Sequence, residues 1–184
     1  MELLKEKRCK WVNLNNLEYV NYHDNEWGVI NHNDRYLYEM LLLESFQAGL
    51  SWECILNKRE AFRAAFDNFD YEKIMLYDED KVKELLNNKK IVRNKLKIRA
   101  AIKNAFVFVK IREEYGSFDK YIWSYSKGVI KNSNDVFFPH NYLSDMISKD
   151  LYKRGMRFVG SVIIYSYLQA IGMIDDHERD CFKY

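Results

Sequence analysis

The sequence predicts an all-α protein, and three observations support this fold class. Only one proline and seven glycines occur among the 184 residues, so few positions interrupt a helix. Long stretches of good helix formers carry apolar residues at helical spacing. The stretch 124–143 contains Pro139 and lacks that spacing, so we expect a loop there, with a short extended piece at Val129 and Ile130.

Six segments carry the helical pattern. In chain order they lie near residues 35–48, 51–65, 78–88, 94–113, 144–153 and 160–171. Four small polar residues stand where a first turn needs a side-chain acceptor for its free amides, namely Ser51, Asp70, Asp78 and Ser144. Gly155 and Gly172 follow the last two segments, where a left-handed C-terminal cap favours glycine.

The composition is that of a soluble globular protein, with 48% hydrophobic and 30% charged residues. We see no apolar run of membrane-spanning length and no apolar signal core in the charged segment 1–10. An odd number of cysteines, three, favours a reducing cytosol and metal-bound or free thiols. The net charge is only +2, so binding to nucleic acid would depend on where the charges lie.

Two pairs of soft metal ligands lie at opposite ends of the chain, Cys9 with His23 and His177 with Cys181. Two thiolates and two imidazoles make a closed tetrahedral set for structural zinc. If one ion binds all four, it closes a loop of most of the chain, which is worth about 5 kcal/mol in the chain-entropy model. His177 and Cys181 would share one face if their segment is helical. The spacing matches no short zinc-finger pattern, so buried thiols and satisfied histidines remain the alternative.

Residues 87–105 contain seven basic side chains and no acidic one. They are Lys89, Lys90, Arg93, Lys95, Lys97, Arg99 and Lys103. A helix, a short turn and a basic helix offer turn amides and a helix N-terminus to a phosphate. Asn87 and Asn88 stand at that turn, where asparagine tolerates the left-handed conformation. The alternative is a solvated helix face without a partner.

Glu44 is a carboxylate in an apolar setting, because Met40, Leu41 and Ala48 lie one turn away on either side. Burying it there is costly unless a positive or hydrogen-bonding group meets it. An arginine from elsewhere in the fold is one such partner, and a ligand is the other. The aromatic residues in the first part of the chain suit a flat cation, held by stacking and cation–π attraction. They are Trp11, Tyr19, Tyr22 and Trp27.

These segments together resemble the bacterial 3-methyladenine DNA glycosylase I (Tag) family along nearly the whole chain. The motifs that carry the resemblance are Cys9-Lys10-Trp11, Tyr22-His23-Asp24-Asn25-Glu26-Trp27-Gly28, Glu44 to Trp52, Lys153 to Gly160, Tyr165 to Ala170, and Asp176-His177 with Cys181. The resemblance implies a helix-hairpin-helix glycosylase-type helical fold, with a structural zinc joining the N- and C-terminal segments. It also implies a single domain, 1–184, with a zinc-stapled lobe from 1–45 and 140–184 and a helix-hairpin-helix lobe at about 46–125.

The resemblance also implies a role for each matching residue. Cys9, His23, His177 and Cys181 match the ligands of one structural Zn²⁺. Glu44 matches the catalytic glutamate of the base pocket. The substrate-binding matches are Tyr22, which contacts the base, Trp52, which stacks on it, and Trp11 and Tyr19, which line the pocket. The DNA-binding residues are Lys89, Lys90, Arg93 and Lys95, although this chain has Lys90 and Leu96 where relatives often have glycine.

The function implied is a monofunctional DNA glycosylase of the bacterial cytosol. It would flip 3-methyladenine out of alkylated double-stranded DNA and release it by hydrolysis, leaving an abasic site without lyase activity. We expect a monomer that binds DNA and no membrane. A zinc-stapled DNA-binding module without chemistry is the alternative. A zinc hydrolase is disfavoured, because four protein ligands leave no open position on the metal. The family lacks the catalytic aspartate of its superfamily, and Asp119 is assigned no such role.

Overall fold

The fold is described by a computed structural model, which covers residues 6–131 and 138–184. Within these ranges the chain is mostly helical. The helices are α1 Leu17–Asn25, α2 Asp34–Gln47, α3 Trp52–Leu56, α4 Arg59–Ala65, α5 Tyr71–Ile74, α6 Glu79–Asn87, α7 Lys95–Tyr115, α8 Phe118–Trp123, α9 Tyr142–Arg154 and α10 Ser161–Ala170. A short 3₁₀ turn, Asp67–Phe69, links α4 to α5.

Two short strands accompany the helices. Strand β1, Ile130–Lys131, pairs in parallel with β2, Ile174–Asp175, so that Ile130 lies opposite Ile174. The extended piece expected at Val129 and Ile130 is therefore present, displaced by one residue. Residues 132–137 of the predicted loop lie outside the described residues.

The predicted helices are present, with one correction. The segment predicted as one helix over 51–65 is two, because α3 ends at Leu56 and α4 begins only at Arg59. The sequence pattern missed α1, α5 and α8. Helices α5 and α8 have only four and six residues and so give less than two turns of periodicity. Helix α1 is as long as α6, with nine residues, but its apolar residues are less clearly confined to one face.

The helix caps follow the sequence prediction with one exception. Ser51, Asp70 and Asp78 each accept a hydrogen bond from a backbone amide of the first turn. Ser144 is not an N-cap: Asn141 caps α9, and Ser144 is the third helical residue of a capping box, which moves the helix start back to Tyr142. Serine suits both positions, so residue type alone did not separate them. Gly155 caps α9 in the left-handed region, and Gly172 follows the α10 cap with φ +77°.

Helix α2 lies at the centre of the molecule. Every residue from Leu37 to Phe46 is buried, and the helix packs against α3, α7, α8 and α10. A helix buried all round leaves any charged side chain on it without water. Two glutamates, Glu39 and Glu44, are in that position. Among the residues described, no helix is long and apolar enough to cross a membrane.

Candidate active site

The two buried glutamates of α2 have opposite surroundings. Glu39, 7% exposed, accepts hydrogen bonds from Arg59 Nε and Arg63 Nη2, both at 2.7 Å. Glu44, 3% exposed, has an Oε2 atom that is buried and has no hydrogen-bond partner. Over residues 6–131 and 138–184 it forms no ion pair. An internal arginine therefore does not neutralise Glu44 in the described part of the chain.

Arg59 links the helices that carry the site. Its Nη1 donates to both carboxylate oxygens of Glu26 at 2.8 Å, and its Nε donates to Glu39. Glu26 caps α1, Glu39 lies on α2 and Arg59 begins α4. These charge-assisted, mostly buried hydrogen bonds are stronger than neutral ones, although Nη1 alone is shared by the two oxygens of Glu26. They fix α1 relative to α2, which holds Glu44.

Burial controls the protonation of this site. Burial raises the pKa of Glu44 well above its ordinary value of 4.5. Burial, and then the negative charge of Glu44, raise the pKa of Tyr22 as well. Tyr22 therefore keeps its proton and offers an O–H donor beside the glutamate. Burial and nearby carboxylates, including Glu44, also raise the pKa of Tyr19.

Tyr22 and Trp52 form an aromatic pair next to Glu44. Their ring centroids are 5.3 Å apart at an angle of 53°. Tyr22 belongs to α1, whereas Trp52 is the first residue of α3 and half-buried. Trp52 Nε1 is buried and has no hydrogen-bond partner. A carboxylate oxygen and an indole N–H without partners suit a polar, flat ligand at this place.

A tight turn connects α2, which carries Glu44, to α3, which begins at Trp52. Leu50 N donates to Gln47 O at 2.6 Å, with Ala48 at φ −45° and ψ 114° and Gly49 at φ +79°. These angles define a type II turn, whose third residue needs a positive φ and therefore favours glycine. Ser51 then caps α3. The turn places α3 against α2, and Trp52 contacts Tyr22, whose pKa is raised in part by the charge of Glu44.

Trp11 and Tyr19 continue the aromatic cluster from the predicted pocket residues toward the predicted metal ligands. Trp11 lies 5.3 Å from Tyr19, 4.9 Å from Trp27 and 5.3 Å from His23 between ring centroids. Trp11 and Tyr19 are half-buried and so retain some exposed ring surface. Trp11 thus lies between the predicted pocket residues and the predicted metal ligands.

Three of the four predicted metal ligands form one cluster. The ligand atoms of Cys9, His23 and Cys181 all lie within 4.8 Å of one another, and all three residues are buried. His177 is outside this group, although its ring centroid is 5.3 Å from that of His23. His177 and Cys181 lie in irregular chain and turns, so the condition of a shared helical face is not met.

The surroundings of these residues fit a structural metal ion. In each histidine Nδ1 lies against a carboxylate, at 2.8 Å from Asp24 for His23 and 2.6 Å from Asp175 for His177. This arrangement leaves both Nε2 atoms for a metal, and His177 Nε2 is buried without a partner. Burial raises the pKa of the Cys9 thiol to about 12, so a thiolate there requires a cation.

Gly28 allows His177 to approach α1. A Cβ atom at Gly28 would lie 2.7 Å from His177 Cε1, and the residue has φ +74°. Any other side chain at this position would displace the imidazole. The glycine of the Tyr22–Gly28 motif is therefore explained by contact with one of the predicted ligands.

Of the predicted DNA-binding residues, three lie between α6 and α7 and Lys95 is the first residue of α7. Lys89, Lys90, Arg93 and Lys95 are all exposed. In the described ranges none of these four forms an ion pair within the protein. Of the other three basic residues in 87–105, Arg99 is exposed but paired with Glu79, Lys103 is exposed, and Lys97 is buried. The seven basic side chains therefore do not form one exposed surface.

The turn before α7 forms without glycine and without left-handed asparagine. Asn88 has φ −76° and ψ 101°, and its Oδ1 accepts from Lys90 N at 3.0 Å. Lys90 and Leu96 are absent from the residues with positive φ. Asn87 and Asn88 do not adopt the left-handed conformation that asparagine tolerates. The side chain of Asn88 closes the turn instead, so Lys90 needs no positive φ.

The fold and the site together define a helical protein in which a buried glutamate lies near an aromatic pair and an exposed basic segment precedes α7. Comparison with known proteins shows which family has this fold. The family model for methyladenine glycosylase matches residues 11–184. The DNA-3-methyladenine glycosylase 1 of Escherichia coli K12 is 40% identical over 182 residues, which cover 97% of each chain.

Solved structures agree with this assignment. A crystal structure of 3-methyladenine DNA glycosylase I superposes with a TM-score of 0.90 at 40% identity, covering 96% of this chain and 98% of the other. A variant of 3-methyladenine DNA glycosylase I in complex with 3-methyladenine has a TM-score of 0.87 at 34% identity, covering 91% and 92%. This chain belongs to the methyladenine glycosylase family.

Proposed function

We propose that this protein is a monofunctional DNA glycosylase that flips 3-methyladenine out of alkylated double-stranded DNA and releases it by hydrolysis. The reaction leaves an abasic site and an intact strand. The observation that carries the proposal is the unpartnered carboxylate oxygen of Glu44, buried beside Tyr22 and Trp52. The family to which the chain belongs supports the choice of base.

The chemistry requires recognition more than proton transfer. Methylation at N3 gives the adenine a positive charge and weakens its bond to the sugar. When that bond breaks, its electron pair passes to the base, which leaves neutral, and water adds to the sugar carbon with loss of a proton. The enzyme must extrude the nucleotide and stabilise a sugar with oxocarbenium character.

Charge gives selectivity between damaged and normal bases. A cationic base compensates the Glu44 carboxylate, whereas neutral adenine leaves it desolvated and unpaired, at a cost of about 1–3 kcal/mol. In this proposal Tyr22 donates its O–H to the bound base and Trp52 stacks on it. Trp11 and Tyr19 line the same pocket. Stacking adds affinity without regard to the base, because every base has a π-face.

Metal and DNA have separate roles in the proposal. Cys9, His23, His177 and Cys181 would hold one Zn²⁺, which would cross-link the N- and C-terminal segments. It joins 1–45 and 140–184 into one lobe, beside a helix-hairpin-helix lobe at about 46–125. The hairpin residues Lys89, Lys90, Arg93 and Lys95 hold the phosphate backbone. We further propose a monomer that acts in the bacterial cytosol.

A direct assay tests the proposed activity. DNA methylated at N3 of adenine is incubated with the protein, and released bases are separated by chromatography. Free 3-methyladenine with an intact, alkali-labile strand is the expected result. Binding to the same DNA without any released base would support the alternative of a zinc-stapled binding module. Released 3-methylguanine or 7-methylpurines would define how broad the pocket is.

The raised pKa of Glu44 predicts two pH effects of opposite direction. The folded protein keeps this proton to higher pH than the unfolded chain, whose carboxyl has a pKa near 4.5. The protonated Glu44 therefore contributes fully to stability below the pKa of the unfolded chain. This contribution is lost as pH rises through the raised pKa of the folded protein. The melting temperature of the unliganded wild type should fall with rising pH relative to Glu44→Gln. The value of kcat/KM should instead fall as pH drops and the carboxylate is protonated. Identical pH profiles for the two proteins would contradict the assignment.

Reversing one charge of the hairpin tests its contact with phosphate. Lys90→Glu is expected to weaken binding to all duplex sequences alike and to reduce the slope of log Kd against log salt by about one. Lys149→Glu, an exposed lysine on α9, is the matched control for net charge. Binding is measured by fluorescence anisotropy from low to moderate salt. A loss restricted to some sequences would argue against a backbone contact.

A further inference from the structure

Lys97 differs from the basic residues around it. It lies on α7 two residues after Lys95, yet it is only 7% exposed. Its ammonium donates to Phe46 O at 2.8 Å and to Ala48 O at 2.5 Å. Both acceptors are backbone carbonyls at the C-terminal end of α2. Lys97 is therefore a contact between two helices and not part of the exposed basic surface.

The end of α2 needs such a partner. The last four carbonyls of a helix have no amide donor within the helix, and a positive charge there is favourable because of the helix dipole. Helix α2 has no basic residue in its own last turn, and its cap, Ala48, is not left-handed. Lys97 supplies from α7 the positive charge that α2 itself lacks.

The same contact lies close in sequence to two residues of the site. Glu44 lies two residues before Phe46, and Ala48 is the second residue of the type II turn that leads to Trp52. Lys97 thus holds the carbonyls on both sides of Gln47, between the glutamate and the tryptophan. On α7 it lies in the first turn, next to the hairpin whose lysines are exposed.

We infer that Lys97 is a positioning residue that couples the basic hairpin to the base pocket. It holds the end of α2 and the turn before Trp52 against the start of α7, so that a hairpin bound to DNA presents Glu44 and Trp52 at a fixed place for the extruded base. The inference rests on the proposed glycosylase function. It assigns Lys97 to geometry within the protein and not to a phosphate contact.

The test separates base release from DNA binding. Lys97→Met keeps most of the aliphatic stem and removes the charge, Lys97→Gln keeps an N–H donor, and Lys97→Arg keeps the cation. Lys103→Met is the matched control, an exposed lysine on the same helix. Two quantities are measured well below each melting temperature. They are the single-turnover rate of 3-methyladenine release at saturating enzyme, and the Kd for undamaged duplex as a function of salt.

A lost positional constraint should slow release on saturated DNA. Lys97→Met is expected to release base on the order of 10–100-fold more slowly than wild type. Its Kd for undamaged duplex and its salt slope should stay within about twofold, since no phosphate contact is lost. The release rates of Lys97→Gln and Lys97→Arg should lie between those of Lys97→Met and wild type, and the rate of Lys103→Met should match wild type. If Lys97→Met does not fold, the rates of Lys97→Gln and Lys97→Arg are compared with wild type, and both should be lower.

Two results would overturn the inference. One is that Lys97→Met releases base at the wild-type rate, even if its melting temperature is lower. If Lys97→Met does not fold, a wild-type rate in Lys97→Gln has the same meaning. The other is a reduced salt slope with an unchanged rate, which would make Lys97 a phosphate contact. The wild-type reaction separates this failure from failure of the proposed function. If the wild-type protein releases no 3-methyladenine, the function itself is wrong.

Discussion

Glu44→Gln is expected to slow the release of 3-methyladenine by about 100-fold while the protein stays folded. The substitution keeps the shape of the side chain and removes the negative charge that meets the cationic base. Hydrogen bonds to charged groups are worth about 1.5–3 kcal/mol, which corresponds to about 10–150-fold in rate. The rate is measured as released base under single-turnover conditions.

Glu39→Gln is the matched control, since it changes a second buried glutamate of the same helix. Glu39 is bound by Arg59 and Arg63, so its loss should lower the free energy of unfolding by about 3 kcal/mol. Glu44 has an oxygen without a partner, so Glu44→Gln should leave stability at neutral pH unchanged or raise it. Unchanged base release in Glu44→Gln would refute the pocket assignment. Equal destabilisation by both substitutions would refute the contrast between the two sites.

Loss of the proposed zinc site should have the largest effect on stability. We expect one zinc ion per chain by elemental analysis, and none in Cys181→Ser. The free energy of unfolding should fall by about 5 kcal/mol, because the ion closes a loop of most of the chain. Activity should fall in parallel with the folded fraction. Activity lost without loss of stability would instead indicate a catalytic ion.

Two further substitutions sharpen this experiment. Cys54→Ser changes a half-buried thiol outside the cluster and should keep the zinc. His177→Ala tests the fourth ligand, whose Nε2 is buried without a partner but lies outside the group formed by Cys9, His23 and Cys181. We expect it to weaken zinc binding. Full zinc affinity in His177→Ala would leave a three-residue site and contradict the four-ligand assignment.

Long periodic segments made most of the fold predictable from the sequence. Helices α2, α6, α7, α9 and α10 lie within a few residues of their predicted bounds, because each repeats its apolar pattern over several turns. The short helices α5 and α8 gave no such signal, and residue type alone did not show whether Asn141 or Ser144 caps α9. The zinc ligands and pocket residues could be named as candidates because their chemistry is distinctive and their motifs resemble a family.

Pairing between distant residues was not predictable. Nothing in the sequence indicates that Arg59 binds Glu26 and Glu39 and leaves Glu44 free, because that choice depends on how α1, α2 and α4 pack. Lys97 resembles its basic neighbours by type and spacing, and only the approach of α2 buries it. Charge in a sequence indicates what a residue is able to bind, whereas burial decides which partner it has.

The cluster of Cys9, His23 and Cys181 has a consequence for the order of folding. It joins side chains that are far apart in the sequence, and Phe182 N donates to Lys7 O beside it at 2.8 Å. Contacts over such a separation cost the most loop-closure entropy. We therefore expect these two segments to dock after the helices between them have packed.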